Sequence, residues 1–205
     1  MEIKIAIQGI QGSFHHQVAH RYFGEAIGLD ECVTFRDVAN SLKNNQSDKA
    51  IMAIENSIAG AILPNYALID SYDLHIIGEH FLDIHMNLMV LPGQTIVDIK
   101  EVHSHPIALL QCANFFSQYP HIKLVESSDT AITAKRIQEN QLKGIGALAG
   151  PVASEIYNLE IIADGIHTVK SNKTRFVVLK ASNKEIPKEL INKASIKFEL
   201  DDTPG

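Results

Sequence analysis

Thr174-Arg175-Phe176, with Asn172 just before it and the apolar run Val177-Val178-Leu179 just after, sets a hydroxyl beside a guanidinium at the mouth of a predicted β-strand. A guanidinium offers a fixed fork of donors to a carboxylate. A hydroxyl offers one donor to a neutral oxygen. The pair suits a small, hydroxylated anion. Successive strand side chains point to opposite faces, so the reading requires backbone that is still turning, with both side chains reaching one cleft. The alternative is a strand start with a surface arginine.

Other polar groups gather at predicted loops. Gly9-Ile10-Gln11-Gly12-Ser13-Phe14 links a strand to a helix, where glycines allow close approach and free helix N–H groups face an anion. The third glycine of a dinucleotide fingerprint is missing. Glu55-Asn56-Ser57-Ile58-Ala59-Gly60 follows a buried run, at the carboxyl end where α/β sheets bind ligands. Helix capping by Asn56 or Ser57 is the competing explanation. Ser104 precedes His105-Pro106 and can cap the helix that Pro106 opens, with Gln111 two turns on. Ser127-Ser128-Asp129-Thr130 precedes another helix, with Ser128 the expected cap. The ten histidines include no His-Glu-x-x-His pair of zincin type, so no metal is expected. Gly-x-Ser-x-Gly is absent. Cys32 and Cys112 show no metal or redox spacing and read as reduced thiols in or near a core, in a cytoplasmic protein.

The elements that must position these groups read as α/β. Ile3-Lys4-Ile5-Ala6-Ile7 alternates, and a helical pattern runs over 14–26. Apolar runs recur at 32–35, 50–54, 74–77, 87–91, 101–102, 123–125, 144–148 and 174–179. Helical stretches fall at 37–45, 62–71, 106–117, 128–140 and 149–157. Strands alternating with helices imply parallel sheet and crossover units. Residues 74–85 hold two runs around Gly78-Glu79-His80 with no helix between, which predicts a passage between lobes; a second passage is expected near 160–175. The expectation is two α/β lobes around a cleft: lobe 1 from 1–80 and 165–182, lobe 2 from 81–164. One continuous doubly wound sheet is the alternative.

Composition sets the bounds. The chain has 205 residues, 45% hydrophobic and 20% charged, with net charge −6. That is an ordinary globular profile. Negative charge argues against nucleic acid, which calls for a basic face. No apolar run approaches the roughly 20 residues of a membrane span. The N-terminus begins a strand at once, without a signal-peptide layout.

Taken in order, Gly9-x-x-Gly12-Ser13-Phe14, Glu55-Asn56-Ser57-x-x-Gly60, Ser104-His105-Pro106 with Gln111-Cys112, Asp129-Thr130-Ala131, 147–159 with Tyr157, and Asn172-x-Thr174-Arg175-Phe176 resemble the prephenate dehydratase family over 1–182. The chain departs from that pattern at Gly150-Pro151, Asn158 and His103, which bears on the shape of lobe 2. The resemblance implies a bilobal catalytic domain like type II periplasmic binding proteins. It implies conversion of prephenate to phenylpyruvate in phenylalanine synthesis, with no cofactor or metal. It assigns Thr174 to the leaving hydroxyl, orienting it with proton transfer relayed, and Arg175 to the carboxylate of the pyruvyl arm. Clamping the departing carboxylate instead would oppose the step. Asn56, Ser57, Ser104 and Gln111 would fix substrate by neutral hydrogen bonds, helped by backbone N–H groups near Ser13 and Thr130. Phe176 lines an apolar wall or is simple core. Glu55 organises its loop. Arogenate dehydratase and a non-catalytic small-anion binder are the alternatives.

After a linker at 183–192, residues 193–205 are similar to the first strand and turn of an ACT regulatory domain, whose remainder would lie in a longer parent. In the family that domain binds phenylalanine as feedback inhibitor. Phenylalanine is therefore expected as a partner only of the longer parent. The resemblance further suggests a homodimer or homotetramer.

Overall fold

The alternation Ile3-Lys4-Ile5-Ala6-Ile7 becomes β1 (Ile3–Gln8), and Ile5, Ala6 and Ile7 are all fully buried. Burial on both sides marks a strand in a sheet covered on both faces. In this computed structural model the described residues are 2–181, 191–196 and 198. After β1 come α1 (Phe14–Phe23), β2 (Ile27–Cys32), α2 (Phe35–Lys43), β3 (Lys49–Asn56), β4 (Gly60–Ala61), α3 (Leu63–Ser71) and β5 (His75–Asp83). Next are β6 (Asn87–Val90), β7 (Glu101–Ser104), α4 (Pro106–Gln111), α5 (Ala113–Phe116), β8 (Lys123–Glu126), α6 (Thr130–Asn140), β9 (Ile145–Ala149), α7 (Pro151–Ile156) and β10 (Glu160–Ala163). β11 (Lys173–Lys180) follows.

Two sheets result. The first runs β2-β1-β3-β11-β5, with β4 added to β3; the second runs β10-β6-β9-β7-β8. β11 returns from the second sheet to pair antiparallel with both β3 and β5, so the chain crosses between lobes twice. The architecture is therefore the expected two α/β lobes. The crossings run side by side. Ile84 N–H donates to Asn172 O at 2.8 Å, and Ile166 N–H donates to Met86 O at 2.9 Å. Met86 N–H donates to the Nδ1 of buried His167 at 3.3 Å, and burial holds that ring below the usual histidine range.

Several boundaries differ from the sequence reading. No break occurs at Gly78-Glu79-His80: β5 is one strand, and lobe 1 keeps it to Asp83. The Tyr22 ring of α1 lies against Gly78, where an added methyl would displace the tyrosine hydroxyl. The strand expected at 32–35 lies at Ile27–Cys32, because Thr34 and Asp37 form a capping box that starts α2 at Phe35. Cys112 divides the 106–117 helix into α4 and α5. β10 has no counterpart in the sequence reading, being a short, bulged edge strand against β6. Of the expected linker and C-terminal strand, residues 183–190, 197 and 199–205 lie outside the described residues. Residues 191–196 and 198 have no regular secondary structure.

Gly146 sits on β9 against the core of lobe 2. A methyl added there would meet Leu88 Cδ1 at 2.7 Å and Val102 Cγ2 at 3.3 Å, and both residues are fully buried. Gly146→Ala is expected to cost about 1–3 kcal/mol of stability by overpacking. Urea unfolding checks this; an unchanged midpoint would mean that the second sheet relaxes around the methyl.

Candidate active site

The carboxyl end of β3 departs from its ladder, and the departure shapes the site. Phe176 pairs with Ala53 and Arg175 with Glu55, so Ile54 is an extra, bulged residue. The displaced backbone groups find other partners. Ala53 N–H donates to His15 Nε2 at 3.3 Å, Asn65 Nδ2 donates to Ala53 O at 2.7 Å, and Ile62 N–H donates to Ile54 O at 2.8 Å. Burial pushes His15 down to about 3, so the ring stays neutral and can accept.

Beyond the bulge, Asn56 lies opposite Thr174. Asn56 Nδ2 donates to Thr174 Oγ1 at 2.9 Å and to Asn172 Oδ1 at 2.7 Å. Asn172 Nδ2 donates to Gln111 Oε1 at 3.1 Å. Gln111 ends α4 in lobe 2, and its carbonyl accepts from Thr168 N–H at 2.8 Å. Ser57 Oγ donates to Ser171 O at 3.1 Å and accepts from Lys173 N–H at 2.9 Å. Asn56, Ser57, Gln111 and Thr174, drawn from distant parts of the sequence, therefore meet in one network where the lobes join.

A second seam joins the lobes at the end of β1. Gly9 and Gly12 both have positive φ, at 91° and 86°. A methyl on Gly9 would lie 3.0 Å from Asp129 Oδ2, and one on Gly12 would lie 3.0 Å from the Tyr157 ring. Both close approaches cross between lobes, and glycine alone permits them here. Tyr157 donates its hydroxyl to Gln11 O at 2.6 Å. Ser13 caps α1, accepting from His16 N–H at 3.2 Å. Asp129, rather than Ser128, caps α6, accepting from Ala131 N–H at 2.7 Å and Ile132 N–H at 3.2 Å. Burial raises its carboxyl above the usual range against those two donors. Thr130 is buried beside it at the first position of α6. Gly150, one of the departures from the family pattern, abuts Phe14, with 2.8 Å from an added methyl to that ring.

Three expected site residues stand elsewhere. Arg175 does not share a wall with Thr174. Both lie inside β11, paired on two sides, so their side chains alternate to opposite faces. Its guanidinium contacts Glu79 Oε2 at 2.7 Å, reaches toward Glu55 at 3.8 Å and lies 5.9 Å from the Phe81 ring centroid. Lys193 also bonds to Glu79. Phe176 is 2% exposed and packs edge-on against His15 at 5.0 Å, so the core reading holds over the wall reading. Ser104 is fully buried and donates to Leu148 O at 2.7 Å; His105, not Ser104, accepts from the first turn of α4. Asn172 and Asp129 carry no site role in the sequence reading, although both lie inside quoted motifs. Their importance is legible only through contacts made across the lobes.

Among the described residues, no three His, Cys, Asp or Glu side chains gather to hold a metal. No serine or cysteine side chain there is hydrogen-bonded to a histidine ring. Burial pushes the thiols of Cys32 and Cys112 up to about 11 and about 12, which leaves them poor nucleophiles. No helix is long and apolar enough to cross a membrane, among the described residues. What remains is a cluster of neutral donors and acceptors between lobes, suited to orienting a small polar ligand.

The chain is similar to a bifunctional chorismate mutase/prephenate dehydratase of Buchnera aphidicola, 34% identical over 93% of this chain and 50% of that one. It is also similar to arogenate dehydratase/prephenate dehydratase 1 of Arabidopsis thaliana, 35% identical over 100% of this chain and 52% of that one. The chain thus spans about half the length of the curated relatives it matches. Among solved structures it resembles prephenate dehydratase of Arthrobacter aurescens in complex with L-Phe, with TM-score 0.80 and 24% identity over 88% of this chain and 61% of that one. It also resembles GqqA, described as a quorum-quenching acylase, with TM-score 0.78 and 29% identity over 90% of this chain and 66% of that one. The prephenate dehydratase family profile matches residues 5–184, and the chain belongs to that family.

Proposed function

We propose that this chain converts prephenate to phenylpyruvate. The observation that carries the reading is the Thr174 hydroxyl, held by Asn56 at 2.9 Å in a polar network that joins both lobes. In the reaction the bond to the ring carboxylate breaks, its electron pair enters the ring, and the bond to the hydroxyl at the opposite ring position breaks. Carbon dioxide and water leave, and the water takes up one proton. Aromatisation drives the step, and no external oxidant or reductant is needed. Thr174 orients the departing hydroxyl, and a threonine is too weak an acid to be the ultimate proton source. Gln111 holds substrate by neutral hydrogen bonds, Asn56 holds Thr174 in place for it, and the helix starts at Ser13 and Thr130 supply backbone donors. Ser57 and Ser104 shape the backbone around them.

We carry Arg175 forward as a positioning residue, since its guanidinium is engaged by Glu79 on the face away from Thr174. The relative named for both arogenate and prephenate supports an arogenate reading as well, because the two substrates share the same leaving groups. An acylase would need an activated nucleophile, and among the described residues no serine or cysteine side chain is hydrogen-bonded to a histidine ring. A parent that continued from near 193 into an ACT domain would bind phenylalanine there, and we infer a homodimer or homotetramer that works in the cytoplasm with both thiols reduced.

Three outcomes follow. Thr174→Ala is expected to lower kcat about 10²–10⁴-fold with KM within a few-fold. Steady-state phenylpyruvate formation reads this, and near-normal turnover would remove Thr174 from the mechanism. Arg175→Leu is expected to lower Tm modestly and leave KM for prephenate nearly unchanged, because it removes the ion-pair contacts to Glu79 and Glu55 and leaves Lys193 on Glu79. A raised KM at native Tm would return Arg175 to the carboxylate-binding role. In side-by-side kinetics, kcat/KM is expected to favour prephenate over arogenate. The reverse order would make the chain an arogenate dehydratase.

A further inference from the structure

The hydrogen bonds around Asn56 have a direction that the backbone dictates. The N–H groups of Ile58 and Ala59 both donate to Asn56 Oδ1, at 3.0 Å each. A backbone N–H cannot accept, so the Asn56 amide has one orientation, with Nδ2 turned the other way. Its two hydrogens serve Asn172 Oδ1 at 2.7 Å and Thr174 Oγ1 at 2.9 Å, and the Lys173 carbonyl is farther, at 3.4 Å. With Asn172 Oδ1 an acceptor, Asn172 Nδ2 must be the donor to Gln111 Oε1, at 3.1 Å. Gln111 Nε2 then has no hydrogen-bond partner among the described residues. Three amides therefore point one way, from two backbone N–H groups in lobe 1 to the end of α4 in lobe 2.

We propose that Asn172, fully buried at the second crossing, is a positioning residue that passes this orientation between the lobes, so that Thr174 and Gln111 both meet the ligand as hydrogen-bond donors. Thr174 already accepts from Asn56, so its own hydrogen is available to the ligand. Gln111 offers Nε2. Two donors suit a ligand that presents acceptors: a hydroxyl oxygen that must leave, and the oxygens of a carboxylate or keto group. A reversed Gln111 would instead aim an oxygen at an anion. This assignment rests on the dehydratase reading and specifies the polarity of its site.

Asn172→Asp tests it with almost no change in size. The oxygen facing Asn56 is kept, and the donor to Gln111 becomes a second oxygen. While ionised, the new carboxylate can only accept. Gln111 must then turn over, give Nε2 to it and present Oε1 to the ligand. Once protonated, the carboxyl donates to Gln111 Oε1 and the native direction returns. Burial raises a carboxyl's pKa, which brings the protonated form within reach of roughly pH 5–6. The expected result is a kcat/KM for prephenate lowered about 10–100-fold at pH 8 and recovering toward the native value at low pH, after subtraction of the uncatalysed rate. Asn172→Ala, with no donor at any pH, stays low throughout. Side-chain amide NMR gives a readout independent of turnover: in Asn172→Asp the Gln111 amide signal moves at neutral pH and returns on acidification. A loss equal at every pH, or a Gln111 signal that does not move, overturns the proposal and leaves Asn172 a structural residue. If native protein turns over neither prephenate nor arogenate while the Gln111 signal moves as described, the dehydratase reading fails and the positioning role stands.

Discussion

The hydrogen bond from Asn56 to Asn172, 2.7 Å long and spanning 116 residues of sequence, is the constraint on which the site depends. One partner stands at the end of β3, the other at the second crossing between lobes. Without it, the chain of amides that runs from Asn56 through Asn172 to Gln111 is broken. A neutral amide pair suits this place. Burying a charge at the lobe junction would require a matching charge and desolvation of both. Amides need only hydrogen bonding, and both side-chain polar atoms of Asn172 have a partner.

The same preference for neutral groups runs through the site. The chain is acidic overall, with net charge −6, so an anionic ligand gains nothing from the global field. Its attraction must come from local dipoles: the N–H groups at the starts of α1 and α6 and the hydrogens of Thr174 and Gln111. Asp129, buried at the seam, turns its carboxyl onto the Ala131 and Ile132 N–H groups, while burial raises its pKa. The nearby cation Arg175 is instead spent on Glu79 and Glu55. The site thus orients its ligand with dipoles rather than with ion pairs.

The bulge in β3 connects this chemistry to the fold. An uninterrupted ladder would leave Asn56 out of step with Thr174, on the opposite face. The extra residue Ile54 brings the two side chains together, and His15 and Asn65 satisfy the backbone groups the bulge frees. His15 is in this way a neutral acceptor inside lobe 1. The glycines have similar local reasons. Gly9 and Gly12 let lobe 2 approach, Gly78 admits Tyr22, and Gly146 leaves room for Leu88.

Much of the chain's character is legible in its sequence. Alternating and continuous apolar runs set the strands, 3.6-residue spacing set the helices, and the ordered motifs marked Asn56, Ser57, Gln111 and Thr174 as site residues and pointed to two lobes. These are local signals, carried by neighbours within a few residues. Tertiary structure alone decided the rest. That Arg175 leaves the wall of Thr174 depends on β11 being paired on both sides. That Phe176 and Ser104 are core depends on what covers them. That β10 exists depends on β6 offering an edge. That Asn172 orders the network depends on two crossings lying side by side. Each is a contact between segments far apart in the chain, and such contacts leave no periodic or compositional trace in the segments themselves.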